Sequence, residues 1–448
     1  MGTGFIHLSD IHFGQERGGE VIIHNDVKEQ LILDVAVAVK SLSKGRAAGI
    51  IVTGDIAYSG MRTEYESAGL WLDRIAEAAG CDKTDIQLVP GNHDIDRGEI
   101  GKYLGSMIDD VVTRGEPALD EILENDRDRE VFFQRFSSYL PFAAAYRCPL
   151  DTTGALTEDR VLEVAPGRWI RFVRLNSALI CSYKDKKGTL ILGARQRVLT
   201  QRRGEELVVL SHHPIDWFQD SADALRYLRS RARVFISGHE HHHSVNVVTV
   251  EPGRDLMMLA SGAAIPHNAN ESYNYCYNTV EFDWDEASDS LTVDVRPRTW
   301  ADDMKRFEDG ISKKADHRSK FYLASPNFNG AKRECNTRVQ DSDVESVSNT
   351  VVISQAEPLT THSQGDVMVD NYPLLILRFF RDLSPAQRLL ILASLNAIPE
   401  NYTGRLGESI ERRAFEGLIK QGKSQELWEK LNQILDSQLT DGENSDNS

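Results

Sequence analysis

The sequence predicts an α/β fold followed by a small all-α C-terminal domain, and three observations carry that prediction. Short apolar runs bounded by turn residues alternate with helical stretches through the first 300 residues. Polar residues of metal-binding type recur just after those runs, at what would be the carboxyl ends of strands. After a long polar stretch, strong helical periodicity returns in residues 372–436.

The predicted strands are Phe5–Leu8, Ile50–Thr53, Ile86–Val89, Ile170–Val173, Leu207–Leu210 and Val234–Ile236. A helix is expected over Asp26–Lys40. Asp26 with Glu29 makes a capping box there, and Leu31, Val35 and Val39 follow at helical spacing. Leu256–Val295 reads as β-hairpins, with Tyr277–Trp284 and Ser290–Val295 flanking a turn at Asp285–Asp289. Residues 97–165 hold no motif. Within them Glu130–Tyr146 is expected to form an amphipathic helix, an insertion covering the site, whose Phe132, Phe133 and Phe136 are core rather than a base-stacking platform.

Four segments follow from this reading: a main domain over 1–300, an extension and flexible linker over 301–371, a helical interaction domain over 372–436, and a disordered acidic tail over 437–448. In the helical domain Ser384 caps a helix, with Pro385 at its first position and Gln387 closing the box. Arg405–Gln421 and Ser424–Leu435 read as two more helices.

Net charge is −17, which offers no general attraction to nucleic acid or to an anionic membrane. The five cysteines are odd in number and scattered, which points to a reducing compartment. No apolar run is long enough for a membrane span, and the N-terminus lacks the pattern of a signal peptide, so a cytoplasmic protein is expected.

Five motifs lie in order: Asp10-Ile11-His12, Gly54-Asp55, Gly91-Asn92-His93-Asp94, His212-His213-Pro214 and Gly238-His239-Glu240-His241. Seven of their side chains, Asp10, His12, Asp55, Asn92, His212, His239 and His241, are oxygen or imidazole donors. Such a set, without cysteine, suits divalent Mn, Fe or Zn. Two ions about 4 Å apart can clamp the attacking and leaving oxygens of a displacement at phosphorus, with one carboxylate shared between them. A nearby histidine can protonate the leaving oxygen. Any one motif alone could be accidental; their order and placement after strands make coincidence a poor explanation. His7, on a predicted buried strand, is read as a satisfied core histidine, and His213 as a neighbour of the centre rather than a ligand. His242 and His243 are read as rim residues. The Lys184–Gly188 loop is read as a solvated turn.

These motifs closely resemble the calcineurin-like metallophosphoesterase family over roughly residues 1–300. The resemblance implies a four-layer fold of two packed mixed sheets flanked by helices. It implies Asp10, His12 and His241 as ligands of one metal, Asn92, His212 and His239 as ligands of the other, and Asp55 as the bridge. His93 resembles the histidine that contacts phosphate and protonates the leaving group, with Asp94 orienting its imidazole. The Ser/Thr phosphatase branch carries Asp-Arg-Gly and Gly-Asn-His-Glu. Here Gly54-Asp55-Ile56-Ala57 and Asp94 stand instead, which is closer to class III cyclic nucleotide phosphodiesterases and compatible with the nuclease branch. Leu383–Leu389 loosely resembles the opening of death-like adaptor domains attached to bacterial effector enzymes.

The expected function is hydrolysis of a small nucleotide-type phosphodiester by two divalent cations, Mn²⁺ first and Fe²⁺ or Zn²⁺ as alternatives. A protein partner is expected through the helical domain. The alternatives are a nuclease recruited through that domain, which would make nucleic acid a partner, and a non-catalytic scaffold.

Overall fold

The computed structural model describes residues 2–16, 20–251, 253–265, 275–310, 319–328, 372–398 and 408–445. Strand β1 (Thr3–Leu8) shows how the sequence builds its layers. Side chains alternate across a strand, so Phe5 enters one core while Ile6 and Leu8 enter the other. Phe5 meets Phe172 and Phe282 edge to face, with ring centroids 5.3 and 5.9 Å apart. Emptying such a position costs about 3–5 kcal/mol.

The first sheet contains β1, β2 (Gly49–Val52), β3 (Ile86–Leu88), β10 (Cys276–Asp285), β11 (Ser290–Ala301), β12 (Arg306–Asp309) and β13 (Lys320–Ala324). Its order is β12-β11-β10-β1-β2-β3, and β13 also pairs with β11. Strands β1, β2 and β3 are parallel, whereas β10 runs antiparallel to β1. The second sheet contains β4 (Thr157–Ala165), β5 (Arg168–Arg174), β6 (Glu205–Leu210), β7 (Ala232–Ser237), β8 (Ser244–Glu251) and β9 (Arg254–Ala260). Its order is β4-β5-β6-β7-β9-β8, parallel through β5, β6, β7 and β9 and antiparallel at both edges. Phe172, Val208, Ile236, Val280 and Val293 join Phe5 in the core between the sheets.

Outside the sheets lie α1 (Glu20–Ala38), α2 (Arg62–Ala79), α3 (Lys102–Arg114), α4 (Glu116–Glu124), α5 (Asp126–Phe133), α6 (Tyr139–Ala145), α7 (Ala194–Arg197) and α8 (Ser221–Arg231). The fold is therefore two mixed sheets flanked by helices, with a small helical region after them. That region comprises α9 (Tyr372–Leu377), a π-helical turn at Arg378–Asp382, α10 (Pro385–Ser394), α11 (Glu408–Lys420) and α12 (Ser424–Ser445). The Ser384 cap forms as expected: its hydroxyl accepts from the Gln387 amide, and the Gln387 side chain accepts from the Ser384 amide.

Arg381 in the π-turn is bidentate to Asp73 of α2, at 2.6 and 3.1 Å, and also donates to the Tyr146 hydroxyl. The helical region is thus tied to the main body by a largely buried ion pair.

Several elements differ from the sequence reading. Helix α1 starts at Glu20, so Asp26 and Glu29 lie inside it and form no cap; burial of His24, Val27, Lys28, Leu31 and Val35 sets its extent. Glu130–Tyr146 breaks into the end of α5, a 3₁₀ turn at Gln134–Phe136, and α6. Buried Arg135 reaches out there to the carbonyls of Phe132 and Leu179. Strands β12 and β13 carry the first sheet past residue 300, through the stretch read as extension. The linker from 329 to 371 lies outside the described residues. Helix α12 continues to Ser445, through most of the segment read as a disordered tail, and no proline interrupts it. Among the described residues no helix is long and apolar enough to cross a membrane.

Candidate metal centre

The five motif loops leave the carboxyl ends of β1, β2, β3, β6 and β7, parallel strands of which β3 is the edge of its sheet and the others internal, and meet where the two sheets end side by side. Backbone hydrogen bonds interlock them. The amides of Ile11 and His12 donate to the Asp55 carbonyl at 2.8 and 2.9 Å, and the Gly238 amide donates to the His212 carbonyl at 2.9 Å.

Asp10, His12, Asp55, His239 and His241 all have positive φ, between 52° and 71°. Non-glycine residues rarely occupy this left-handed region, and each such residue costs on the order of 1–3 kcal/mol. Five of the seven expected ligands therefore sit in strained backbone that the interlocked loops enforce. Gly91 allows a close approach to Asp55. A Cβ there would lie 2.5 Å from the Asp55 amide nitrogen and nearer still to its Oδ1.

The seven side chains converge. Asp55 Oδ2 lies 3.3 Å from both His12 Nε2 and His212 Nε2. His212 Nε2 is also 3.1 Å from Asn92 Oδ1 and 3.1 Å from His239 Nδ1. Asp10 Oδ1 lies 3.2 Å from His241 Nε2. Donor atoms of Asp10, His12 and His241 lie within 4.8 Å of one another, as do those of Asp10, Asp55 and His212.

The second nitrogens are already engaged. His212 Nδ1 donates to the Thr53 carbonyl at 2.8 Å and His12 Nδ1 to the Ile265 carbonyl at 3.2 Å. This is the arrangement that aims the other ring nitrogen of a ligating histidine at a metal. His212 Nε2 can carry one proton at most, yet it faces three donor atoms. A divalent cation satisfies that cluster where a hydrogen cannot, so the residues fit a metal-binding role.

Electrostatics agree. Burial alone would raise the Asp55 pKa, but His212, His93 and His12 hold it well below the usual carboxylate range. Burial alone would lower the His212 pKa, but the Asp55 and Asp10 carboxylates lift it to about 9. The carboxylates thus hold positive charge on His212, while burial and the His212 charge push the His239 pKa down to about 3 and leave it a neutral imidazole.

His93 sits beside this cluster, its ring 5.0 Å from that of His12 and nearly perpendicular to it. Its backbone amide donates to Asp55 Oδ1 at 2.8 Å, and its Nδ1 donates to the Tyr58 carbonyl at 2.8 Å. The Tyr58 ring stacks on the imidazole with centroids 5.1 Å apart.

Asp94 does not stand behind His93 as expected. Its buried carboxylate accepts from the amides of Ile56, Ala57 and Gly91 and from the Tyr65 hydroxyl. Three amides presented at 2.9–3.1 Å form a better-matched nest than one imidazole could, so Asp94 locks two motif loops together instead. Tyr58 is the group that orients the ring. Neither it nor Tyr65 carries a local sequence signal. His213 has a ring nitrogen within 4.8 Å of ring nitrogens of His212 and His239, and its Nδ1 lies 3.0 Å from Ser177 Oγ. His7 is a core residue, its Nε2 3.0 Å from Thr53 Oγ1.

Comparison with known proteins places this geometry. Residues 371–433 match the GTPase-associated adaptor domain. Over 280 residues the chain is 25% identical to the uncharacterized metallophosphoesterase-like protein YydB of Bacillus subtilis, covering 59% of this chain and 54% of that one. The chain therefore spans about half the length of that curated relative. Among solved structures it is similar to purple acid phosphatase PPD1 of yellow lupin, at 11% identity and TM-score 0.37, covering 79% of this chain and 57% of that one. It is likewise similar to the NAD nucleotidase of Haemophilus influenzae, at 9% identity and TM-score 0.32, covering 75% and 60%. Residues 4–243, more than half of the sequence and all five motif loops, match the calcineurin-like phosphoesterase profile, and the chain belongs to that family.

Proposed function

We propose that this protein is a two-cation phosphodiesterase acting on a small nucleotide-type diester, with a 3′,5′-cyclic nucleotide as the first candidate. Family membership supports metal-dependent phosphoester hydrolysis in general. One observation supports the two-cation part of the reading: a single carboxylate oxygen of Asp55 lies equally close to an imidazole of each ligand set. Asp10, His12 and His241 would hold one cation, Asn92, His212 and His239 the other, and Asp55 both. When bound, two divalent cations, Mn²⁺ first and Fe²⁺ or Zn²⁺ as alternatives, act as Lewis acids on the phosphoryl group and make water nucleophilic near neutral pH.

The chain's own contribution is positional and acid–base. With its Nδ1–H donating to the Tyr58 carbonyl, His93 must be in the imidazolium form to carry a second proton on Nε2, the atom that delivers it to the leaving oxygen. Asp94 is a positioning residue that fixes the backbone bearing Asp55 and Asn92. The net charge of −17 disfavours a polymeric polyanion as substrate. The adaptor-domain match supports a protein partner for the C-terminal helices.

The test is a substrate panel with Mn²⁺. Bis-p-nitrophenyl phosphate and a 3′,5′-cyclic nucleotide should be hydrolysed, plasmid DNA should persist, and Asp55→Ala should be inert. DNA degradation that falls steeply with salt assigns a nuclease instead. A metal-loaded protein that hydrolyses none of them is a scaffold.

A further inference from the structure

Charge on the rim of the metal centre is unevenly balanced. The loop from Ser182 to Gly188 crosses this rim, and it is tied down rather than free. The Ser182 amide donates to Asp185 Oδ1 at 2.7 Å, and the Gly188 amide donates to the Trp217 carbonyl at 3.1 Å. Lys184 pairs with Asp109 at 2.7 Å, and Lys187 pairs with Asp216 at 2.5 Å and Glu240 at 3.4 Å. Both of these lysines are neutralised within the protein.

Arg97 is not. It follows the Asn92-His93-Asp94 motif, and among the described residues its hydrogen bond runs from Nη2 to the Asn92 carbonyl at 3.1 Å. Its Nε is buried without a partner. Asp185 feels its charge, but no carboxylate among the described residues lies within ion-pair distance. A guanidinium has five donors and cannot lose its charge; here Nη2 serves Asn92 while Nη1 opens to solvent, so an anion beside the cation centre can reach it. The guanidinium also lies over the Tyr183 ring, 5.9 Å from its centroid. That ring is 69% exposed on the anchored loop.

We propose that Arg97 and Tyr183 form a nucleotide-recognition rim: the guanidinium takes a non-bridging phosphoryl oxygen of the substrate, and the ring stacks on its base. This rests on the phosphoesterase reading of the adjacent centre. An Arg fork matches two phosphoryl oxygens, and an exposed aromatic face stacks on any base. The basic loop thus acts through its tyrosine, while Lys184 and Lys187 serve as anchors.

The experiment titrates the Mn²⁺-loaded full chain with inorganic phosphate and with a nucleoside monophosphate by calorimetry, so that it reads binding without turnover. Metal content is measured on every variant. Arg97→Met keeps the length of the side chain over Tyr183 and removes the charge. It should bind two cations and weaken both ligands about tenfold or more. Arg97→Lys should recover part of that loss. Tyr183→Leu should leave phosphate unchanged and erase the extra affinity of the nucleotide over phosphate. Phosphate affinity within twofold of the parent in Arg97→Met, or an unchanged nucleotide preference in Tyr183→Leu, overturns the proposal. A parent protein that binds phosphate through Arg97 yet hydrolyses no ester sinks the enzymatic reading alone.

Discussion

Gly91→Ala tests how tightly the ligand loops are packed. Gly91 contacts the chain at Asp55, the residue assigned to both cations. A Cβ at position 91 would stand 2.5 Å from the Asp55 amide nitrogen, where ordinary contact begins at 3.4 Å, so the Asp55 segment must retreat by about 0.9 Å. Metal–ligand distances tolerate only about 0.2 Å. Asp55 cannot retreat without disturbing its neighbours, because its carbonyl accepts the Ile11 and His12 amides and its Oδ1 accepts the His93 amide. A misplacement near 1 Å costs on the order of 100-fold in rate. The expected result is kcat/KM on bis-p-nitrophenyl phosphate lowered at least about 100-fold, with fewer than two Mn²⁺ per chain by elemental analysis. Asp55 and Gly91 lie beyond the last paired residues of β2 and β3, so the strand registers need not change and the far-UV spectrum should be unchanged. A variant that binds two Mn²⁺ and keeps kcat/KM within about threefold would refute the reasoning.

Three further outcomes are expected. His93→Ala should retain both cations and lose about 10²–10⁴-fold in turnover of an alkyl phosphodiester, but much less with p-nitrophenolate leaving; equal losses on both substrates would remove the proton-donor role. Arg381→Ala breaks a pair whose side chains are only 11% and 12% exposed. It should destabilise the docking of the helical region by about 3 kcal/mol, seen as an earlier, separate transition in urea, and a single unchanged transition would contradict that. Glu206 is fully buried against Arg233, and burial outweighs that partner to push its pKa up to about 7. The folded chain therefore holds a proton that the unfolded chain releases, and this group's contribution to stability falls as pH rises from about 4.5 to about 7. Glu206→Gln lacks that slope, so its stability relative to the parent should improve between about pH 5 and pH 7 in denaturant titrations; a pH-independent difference would count against the assignment.

Much of the fold was legible because strands and helices write their periods locally. Ile50, Ile51 and Val52 announce a buried strand whatever surrounds them, and Ser384-Pro385-Ala386-Gln387 announces a cap that the structure makes. The Asp26 and Glu29 pair carries the same local signal, but it lies inside α1, because burial starting at His24 outweighs a preference of about 1 kcal/mol. The break at Gln134–Phe136 was hidden for a related reason: the side chain that crosses it, Arg135, finds acceptors from Leu179, 44 residues away. At the site, residue types and order were readable, and the structure brings the seven expected donors together. The positive φ of Asp10, His12, Asp55, His239 and His241 was not readable, since Asp and His enter that region more often than most residues but still rarely. Nor could the sequence separate Asp94 from Tyr58 as the partner of His93. That choice depends on amides 37 and 38 residues distant that claim the carboxylate first.

The most direct measurement is anomalous diffraction at the manganese edge from crystals grown with Mn²⁺. The account requires two peaks astride Asp55, one against Asp10, His12 and His241 and the other against Asn92, His212 and His239. A lone peak, or two peaks with Asp55 touching only one of them, would contradict it.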